Sequence, residues 1–374
     1  MSDRKQLALE TIMQRHTKRI PSWTFHPMEH SVIERFAGAN SGDYRKNPKE
    51  VYLAMQRAVG TCMIDQYIPL NPLTMGNKGY DEETERGVTT GAAQILLDDM
   101  EIDSPGAMIE HMERYIFPRM QKELLEFNED IRVKEIIESE RAVQRELGQD
   151  ILKAPYGFTA FPCFAYNTYG YANYFMACAL YPEVIEKHFS LAADVSILNN
   201  RAVARAFTEA GLPLYLRLDH DMADSRGTLV NIKWLDKHWF PHFARSLEPL
   251  LKTDIRMIWH CDGNLMEMVP RLLDVGLQGF QGFQYEDGMD YKKICQMKAK
   301  DGNSLLIIAG VSVTRTLPHG TPDDINKEIA WLVENGPATG LFLGCSSSIT
   351  PGVPWENLKT LVDGLQYYRT HGRG

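Results

Sequence analysis

From residue 158 to the carboxyl end, short apolar runs alternate with longer amphipathic segments, and this alternation restricts the fold more than any other feature of the chain. The runs at 158–165, 214–218, 256–259, 278–283, 305–309 and 340–343 read as strands. Each precedes a helical pattern, at 182–210, 232–251, 265–275, 290–300, 322–335 and 354–370. Repeated units of this kind place the strands parallel, joined by right-handed crossovers. With one or two earlier strands, 61–69 among them, the count approaches the eight of a closed barrel. An open doubly wound sheet is the rival, but no Gly-rich dinucleotide turn follows an early strand. The expected fold is α/β, a (β/α)8 TIM barrel over 61–374 with a helical N-terminal extension over 1–60. A small hairpin is expected around 88–92, and a helix over 108–141 broken near Pro118.

The net charge of −9 and the lack of a dense Lys/Arg run argue against nucleic acid as the main partner. Six cysteines, at positions 62, 163, 178, 261, 295 and 345, show no paired CxxC spacing. With no secretory leader at the amino end, they suggest reduced thiols in a cytoplasmic protein. No apolar run approaches the roughly 18 residues a membrane span needs.

Catalysis in a barrel sits at the carboxyl ends of the strands, where loops converge on one mouth. The residues falling there are Asp65; Tyr166, Asn167 and Tyr169; Asp219, His220 and Asp221; and His260, Cys261 and Asp262. Gln281, Gln284 and Glu286, then Ser312 and Arg315, and finally Cys345 to Ser348 complete the set. Strand ends are often polar simply because loops are, so convergence of several strands carries the argument rather than any one residue. Asp219 and Asp221 share a face by alternation, with His220 opposite. Adjacent carboxylates repel, so one would hold a proton or the pair would bind a cation; a plain turn-capping role for Asp219 or Asp224 is the alternative.

His260 and Asp262 have the i, i+2 spacing that suits two metal ligands, or a carboxylate orienting an imidazole. Cys261 then faces the helices. Cys345 follows a strand beside Gly344 and is either a thiolate ligand or a buried thiol. His238 and His242, at i, i+4 inside a helix, read as packing residues. The substrate-binding candidates are Asn167, Tyr169, Gln281, Gln284 and Glu286, and the aromatic stretch 158–174 would line a pocket for a flat substrate.

Three motifs, Trp259-His-Cys-Asp-Gly-Asn264, Gly310-Val-Ser with His319-Gly-Thr-Pro-Asp323, and Ser346-Ser-Ser-Ile-Thr-Pro-Gly-Val-Pro-Trp-Glu-Asn357, resemble those of the uroporphyrinogen decarboxylase (URO-D) superfamily. That superfamily also holds the corrinoid-linked methyltransferases, and the likeness runs from about Arg19 to Tyr368. It implies a (β/α)8 barrel with its site at the carboxyl mouth. Uroporphyrinogen decarboxylases carry an arginine-rich motif near the amino end; here Pro21-Ser-Trp-Thr-Phe-His-Pro27 stands instead. The methyltransferase branch binds zinc through His-x-Cys and a later Cys. His260 matches the first position, Asp262 stands at the second and Ser347 at the third, with Cys261 and Cys345 displaced nearby.

The resemblance therefore implies a methyltransferase acting between a small methylated, for instance aromatic methoxy, compound and a corrinoid (cobalamin) cofactor carried on a partner protein. Its catalytic residues would be His260, Asp262, Asp221 and Asp219, and its metal ligands, with zinc as the expected ion, His260, Asp262 and Cys345. Family members are often homodimers. The alternatives are a cofactor-free decarboxylase or lyase of a small acid, and a non-catalytic binder of a corrinoid or tetrapyrrole.

Overall fold

A computed structural model describes residues 3–70, 75–76, 79–80 and 94–373. The hairpin expected around 88–92 lies outside the described residues. Seven short parallel strands form most of a barrel wall: β1 (Met63–Ile64), β2 (Leu152–Lys153), β3 (Tyr215–Asp219), β4 (Arg256–His260), β5 (Gly279–Gln281), β6 (Leu306–Val311) and β7 (Leu341–Cys345). Strands β3 to β7 pair in sequence order and β1 pairs with β2. A bridge between Tyr156 and Arg217 joins β2 to β3.

The eighth position is held by the segment around Ser22. It bridges Leu343 of β7 in parallel, and its carbonyl accepts from the Cys62 amide at 3.1 Å, which closes the ring on β1. The chain is thus a (β/α)8 barrel whose wall takes in residues from within the expected 1–60 extension. Nothing in that segment advertises a strand, because prolines 21 and 27 flank it and only a few backbone groups join the ladder. The helix Asp3–Ile12 sends Ala8 and Ile12 into the same apolar cluster as Tyr215, Ile258, Ile308 and Phe342. Gln14 then hydrogen-bonds the Ser304 carbonyl just ahead of β6, so this helix plugs the amino-terminal end of the barrel.

The run 158–165 is not a strand. Pro162 removes a ladder donor, and the side chain of Asn200 brackets Ala160 instead, accepting from its amide at 3.0 Å and donating to its carbonyl at 2.8 Å. The aromatic rings of this segment pack across the barrel: Phe161 lies 5.5 Å from Trp259, and Phe164 lies 5.5 Å from His220, centroid to centroid. The break expected near Pro118 is absent: helix runs on through Pro105–His111, Met112–Ile116 and Phe117–Glu126, with Pro118 in the first turn of the last, and the interruption falls at 127–128, ahead of Glu129–Leu147.

The strand interiors are buried on both faces, as the near-continuous apolar runs require. Alternation then decides which side chains enter the barrel. Ile258, Ile308 and Phe342 point inward, so His260, Gly310 and Gly344 do as well, whereas Cys261 and Cys345 turn toward the helices.

Candidate active site at the barrel mouth

Strand register builds the site. His260 pairs with Asp219 on one side and with Gln281 on the other, so three neighbouring strands end at one level with inward-pointing polar residues. One pleat below, Arg217 also faces inward and is almost fully buried. Its Nε lies 2.9 Å from Asp65 Oδ2, an ion pair whose N–H is not aimed as a hydrogen bond. Its Nη1 donates to Gln281 Oε1 at 3.0 Å and approaches Asp219 Oδ2 at 3.4 Å. Burial alone would raise the Asp65 carboxyl, but Arg217, the Gln66 amide and the Tyr215 hydroxyl together hold it below the ordinary range. Asp65 accepts from Trp23 Nε1 (3.0 Å) and Tyr215 (2.9 Å), which fixes this charge beneath the mouth.

Above that layer, Asp219 accepts from the Tyr156 hydroxyl at 2.9 Å, and its other oxygen faces His260 Nε2 at 3.9 Å. His260 Nδ1 lies 3.3 Å from the Gln281 carbonyl. Gly282, at φ +79°, makes room for the ring: a Cβ there would sit 2.6 Å from His260 Nδ1. One donor atom from each of Asp219, Asp221 and His260 lies within 4.8 Å of the others. His220 points the opposite way, accepting from the Phe164 amide at 2.8 Å and stacking on Tyr166. Burial pushes its pKa down to about 4, so it is a neutral packing residue.

Asp262, an expected ligand on the loop after β4, lies outside the group formed by Asp219, Asp221 and His260 but touches it through Asp221. Its amide donates to Asp221 Oδ1 at 3.0 Å, and its Oδ2 lies 3.4 Å from the Ser347 hydroxyl. Its Oδ1 is buried without a hydrogen-bond partner. Burial raises its carboxyl above the ordinary range, and the neighbouring acids add to this against the opposing pull of His260. Of the positions that the family pattern assigns to zinc ligands, 260 and 347 line the mouth cavity and 262 touches 347, and none of them brings sulfur. The two nearby thiols do not replace it. Cys261 accepts from the Met222 amide at 3.2 Å, and Cys345 lies wholly buried on the Glu328 side of its strand; burial raises both thiols. Cys345, an expected ligand, does not join the group that lies together, because strand parity turns it away from the barrel axis. The donors present thus do not fit a thiolate-bound zinc; they form a set of imidazole and carboxylate oxygens.

The other candidates take varied places. Gln281 is buried in the cavity and donates to the Ser346 carbonyl at 3.3 Å. Gln284 accepts from the Gly263 amide at 2.6 Å and so holds the turn carrying Asp262. Glu286 accepts from the hydroxyls of Ser312 and Thr314, each at 2.5 Å. Asn167 is exposed, and Tyr169 is buried against His111 Nδ1 at 2.9 Å, outside the lining of the mouth cavity. Sequence reasoning missed Arg217, Tyr156, His26 and Trp23. The i−2 relation of Arg217 to Asp219 was the available signal, since it puts both inside.

The cavity at the mouth, lined by Trp23, His26, Gln66, Asp219, His260 and Ser347 among others, encloses about 60 Å3. That is room for a group of a few heavy atoms. Burial, with help from Arg217, pushes His26 down to about 4, so it adds no charge there at neutral pH. A larger groove of about 380 Å3 lies at the other end of the strands, beside Leu251 and Val275; its Gln278 and Asp301 are engaged with each other at 3.1 Å.

A parallel barrel with acids and an imidazole at its carboxyl mouth is the architecture of a large class of barrel enzymes. The family profile for uroporphyrinogen decarboxylase (URO-D) matches residues 100–368, and the chain belongs to that family. Among solved structures, a methyltransferase from Methanosarcina mazei is similar at 17% identity over 98% of each chain, with a TM-score of 0.59. A B12-independent methionine synthase from Shewanella sp. W3-18-1, in complex with selenomethionine, is similar at 12% identity over 63% of this chain and 65% of that one, with a TM-score of 0.41. No curated protein matches the chain. Among the described residues, no helix is long and apolar enough to cross a membrane.

Proposed function

We propose that this protein is a methyltransferase of the URO-D family. It would move a methyl group between a small methylated compound and a corrinoid presented by a partner protein. The observation that carries this reading is an acid whose carboxyl burial raises above the ordinary range: Asp262, with a buried, unpartnered Oδ1 and its Oδ2 against Ser347, a residue that lines the small mouth cavity. Breaking a methyl–oxygen bond leaves an alkoxide or phenoxide, a poor leaving group unless it is protonated as it departs. Asp262 is placed to hold that proton. Ser347 and the Asp221–Asp262 backbone contact orient the carboxyl, and Gln281 orients the imidazole. Tyr156 and Arg217 hold Asp219 in place at the cavity wall, where it faces His260.

A corrinoid supplies the cobalt nucleophile that accepts the methyl group. A cavity of about 60 Å3 does not admit a corrin ring, so the ring would face the mouth from outside. The same size argues against porphyrinogen decarboxylation, as does the engagement of Arg217, the arginine of the cavity lining among the described residues, with Asp65. The near full-length likeness to a fold that serves as a methyltransferase elsewhere supports the reading.

The test is methyl transfer to cob(I)alamin, followed by the change in its visible spectrum, across methoxy aromatics, methylated thiols and methylated amines. We expect turnover with one class, lost in Asp262→Ala. A blank panel would count against the proposal. A second reading, decarboxylation of a small acid, draws on the same raised Asp262 carboxyl, which could deliver a proton to a carbanion. Carbon dioxide release with no methyl acceptor present would favour it.

A further inference from the structure

The family pattern leads to zinc held by thiolates, and among the described residues no cysteine joins the group of donors at the mouth. We propose instead that Asp219, Asp221 and His260 form a sulfur-free site for a divalent cation of the harder or borderline class, with Mn2+ or Co2+ as suitable probes. The proposal deepens the methyl-transfer reading and rests on it only for the ion's use; binding itself follows from the residues.

The imidazole supplies the first argument. The Gln281 carbonyl only accepts hydrogen bonds, so its 3.3 Å contact places the proton of a neutral ring on Nδ1. The Nε2 lone pair then points toward Asp219 Oδ1 at 3.9 Å, too far for a hydrogen bond. A buried histidine fixed by a backbone carbonyl through one nitrogen, with the other nitrogen unbonded and facing carboxylates, has the arrangement of a metal ligand.

Spacing supplies the second. Ligand atoms about 2.0–2.2 Å from a shared ion lie at most about 4.4 Å apart. The three donors already fall within 4.8 Å of one another, so sub-ångström shifts complete the site.

Charge supplies the third. Arg217 is shared between Asp65 and Asp219, which leaves the layer above it with more carboxylate than cation. Three protein ligands leave positions open for water or a substrate atom, and oxygen donors select against the soft, tetrahedral thiolate class.

The experiment uses the full chain, stripped with chelator and titrated with CoCl2 and, separately, MnCl2. We expect about one ion per chain, with weak d–d absorption for Co2+ and no sulfur-to-cobalt charge-transfer band. Asp221 is exposed, so Asp221→Asn should fold normally, as thermal unfolding would verify, and bind at least about tenfold more weakly. Cys261→Ser and Cys345→Ser should bind as the wild type does. Absence of saturable binding, a charge-transfer band, or binding that is lost with the cysteines and kept in Asp221→Asn would each overturn the site. Binding without methyl transfer to any acceptor would sink the functional reading and leave the site standing. Methyl transfer by stripped protein that binds no ion would do the reverse.

Discussion

Arg217 and Asp65 form a buried ion pair, Nε to Oδ2 at 2.9 Å, directly beneath the residues of the barrel mouth. The pair ties the third strand to the first and carries Asp219 and Gln281 on the same guanidinium. Because both partners are almost wholly desolvated, losing one leaves the other uncompensated. Asp65→Ala is therefore expected to cost about 3–5 kcal/mol in chemical denaturation. The double variant Asp65→Leu/Arg217→Met should be less unstable than the sum of the two single changes. Additive losses would mean that the two charges do not act as a pair.

Gly282 tests the seating of His260. A left-handed backbone at this position costs an alanine about 1–2 kcal/mol, and its Cβ would collide with the imidazole. Gly282→Ala should fold with a modest drop in stability but lose most of its activity and its cation binding. Retention of both would show that the ring position set by Gln281 is unimportant.

Glu328 gives a pH signature of known sign. Burial pushes its pKa up to about 7, against the Ser312 amide that it accepts at 2.7 Å. Between the ordinary carboxylate range and about 7, the folded protein holds a proton that the unfolded chain releases. This group's contribution to stability therefore falls as pH rises through that window and levels off above it. Glu328→Gln keeps the acceptor and removes the titration. Relative to wild type, its melting temperature should be higher at pH 8 than at pH 5; a flat difference across that range would contradict the assignment.

His220 anchors the aromatic segment over the barrel. His220→Ala removes the acceptor for the Phe164 amide and the ring stacked on Tyr166. An orphaned buried amide costs about 1–3 kcal/mol. Hydrogen exchange should accelerate through 158–170, while β4 and β6 stay protected. Uniform acceleration would place the effect in global stability instead.

The barrel was legible wherever a strand is buried on both faces, because β3, β4, β6 and β7 stand out as apolar runs followed by helices. The first strands were not. Ser22 lies among prolines, and β2 is a two-residue strand ending in Lys153, whose ammonium is buried against Glu140 at 2.9 Å. The run 158–165 misled because its apolar residues are aromatic anchors for a crossing segment rather than a strand's two faces. At the site, alternation placed Asp219 and Asp221 on one side with His220 on the other. The same parity applied to Phe342, Gly344 and Cys345 would have turned Cys345 outward. Tyr169 was beyond reach, since its partner His111 lies 58 residues away.

The most direct test of the account follows a trideuteromethyl label from substrate to cobalt by mass spectrometry, with wild type and Asp262→Ala side by side. The account predicts labelled methylcobalamin with the wild-type protein, formed with a methylated substrate, and little or none with the variant. Label that stays on every substrate offered, while carbon dioxide is released from a small acid, would contradict it.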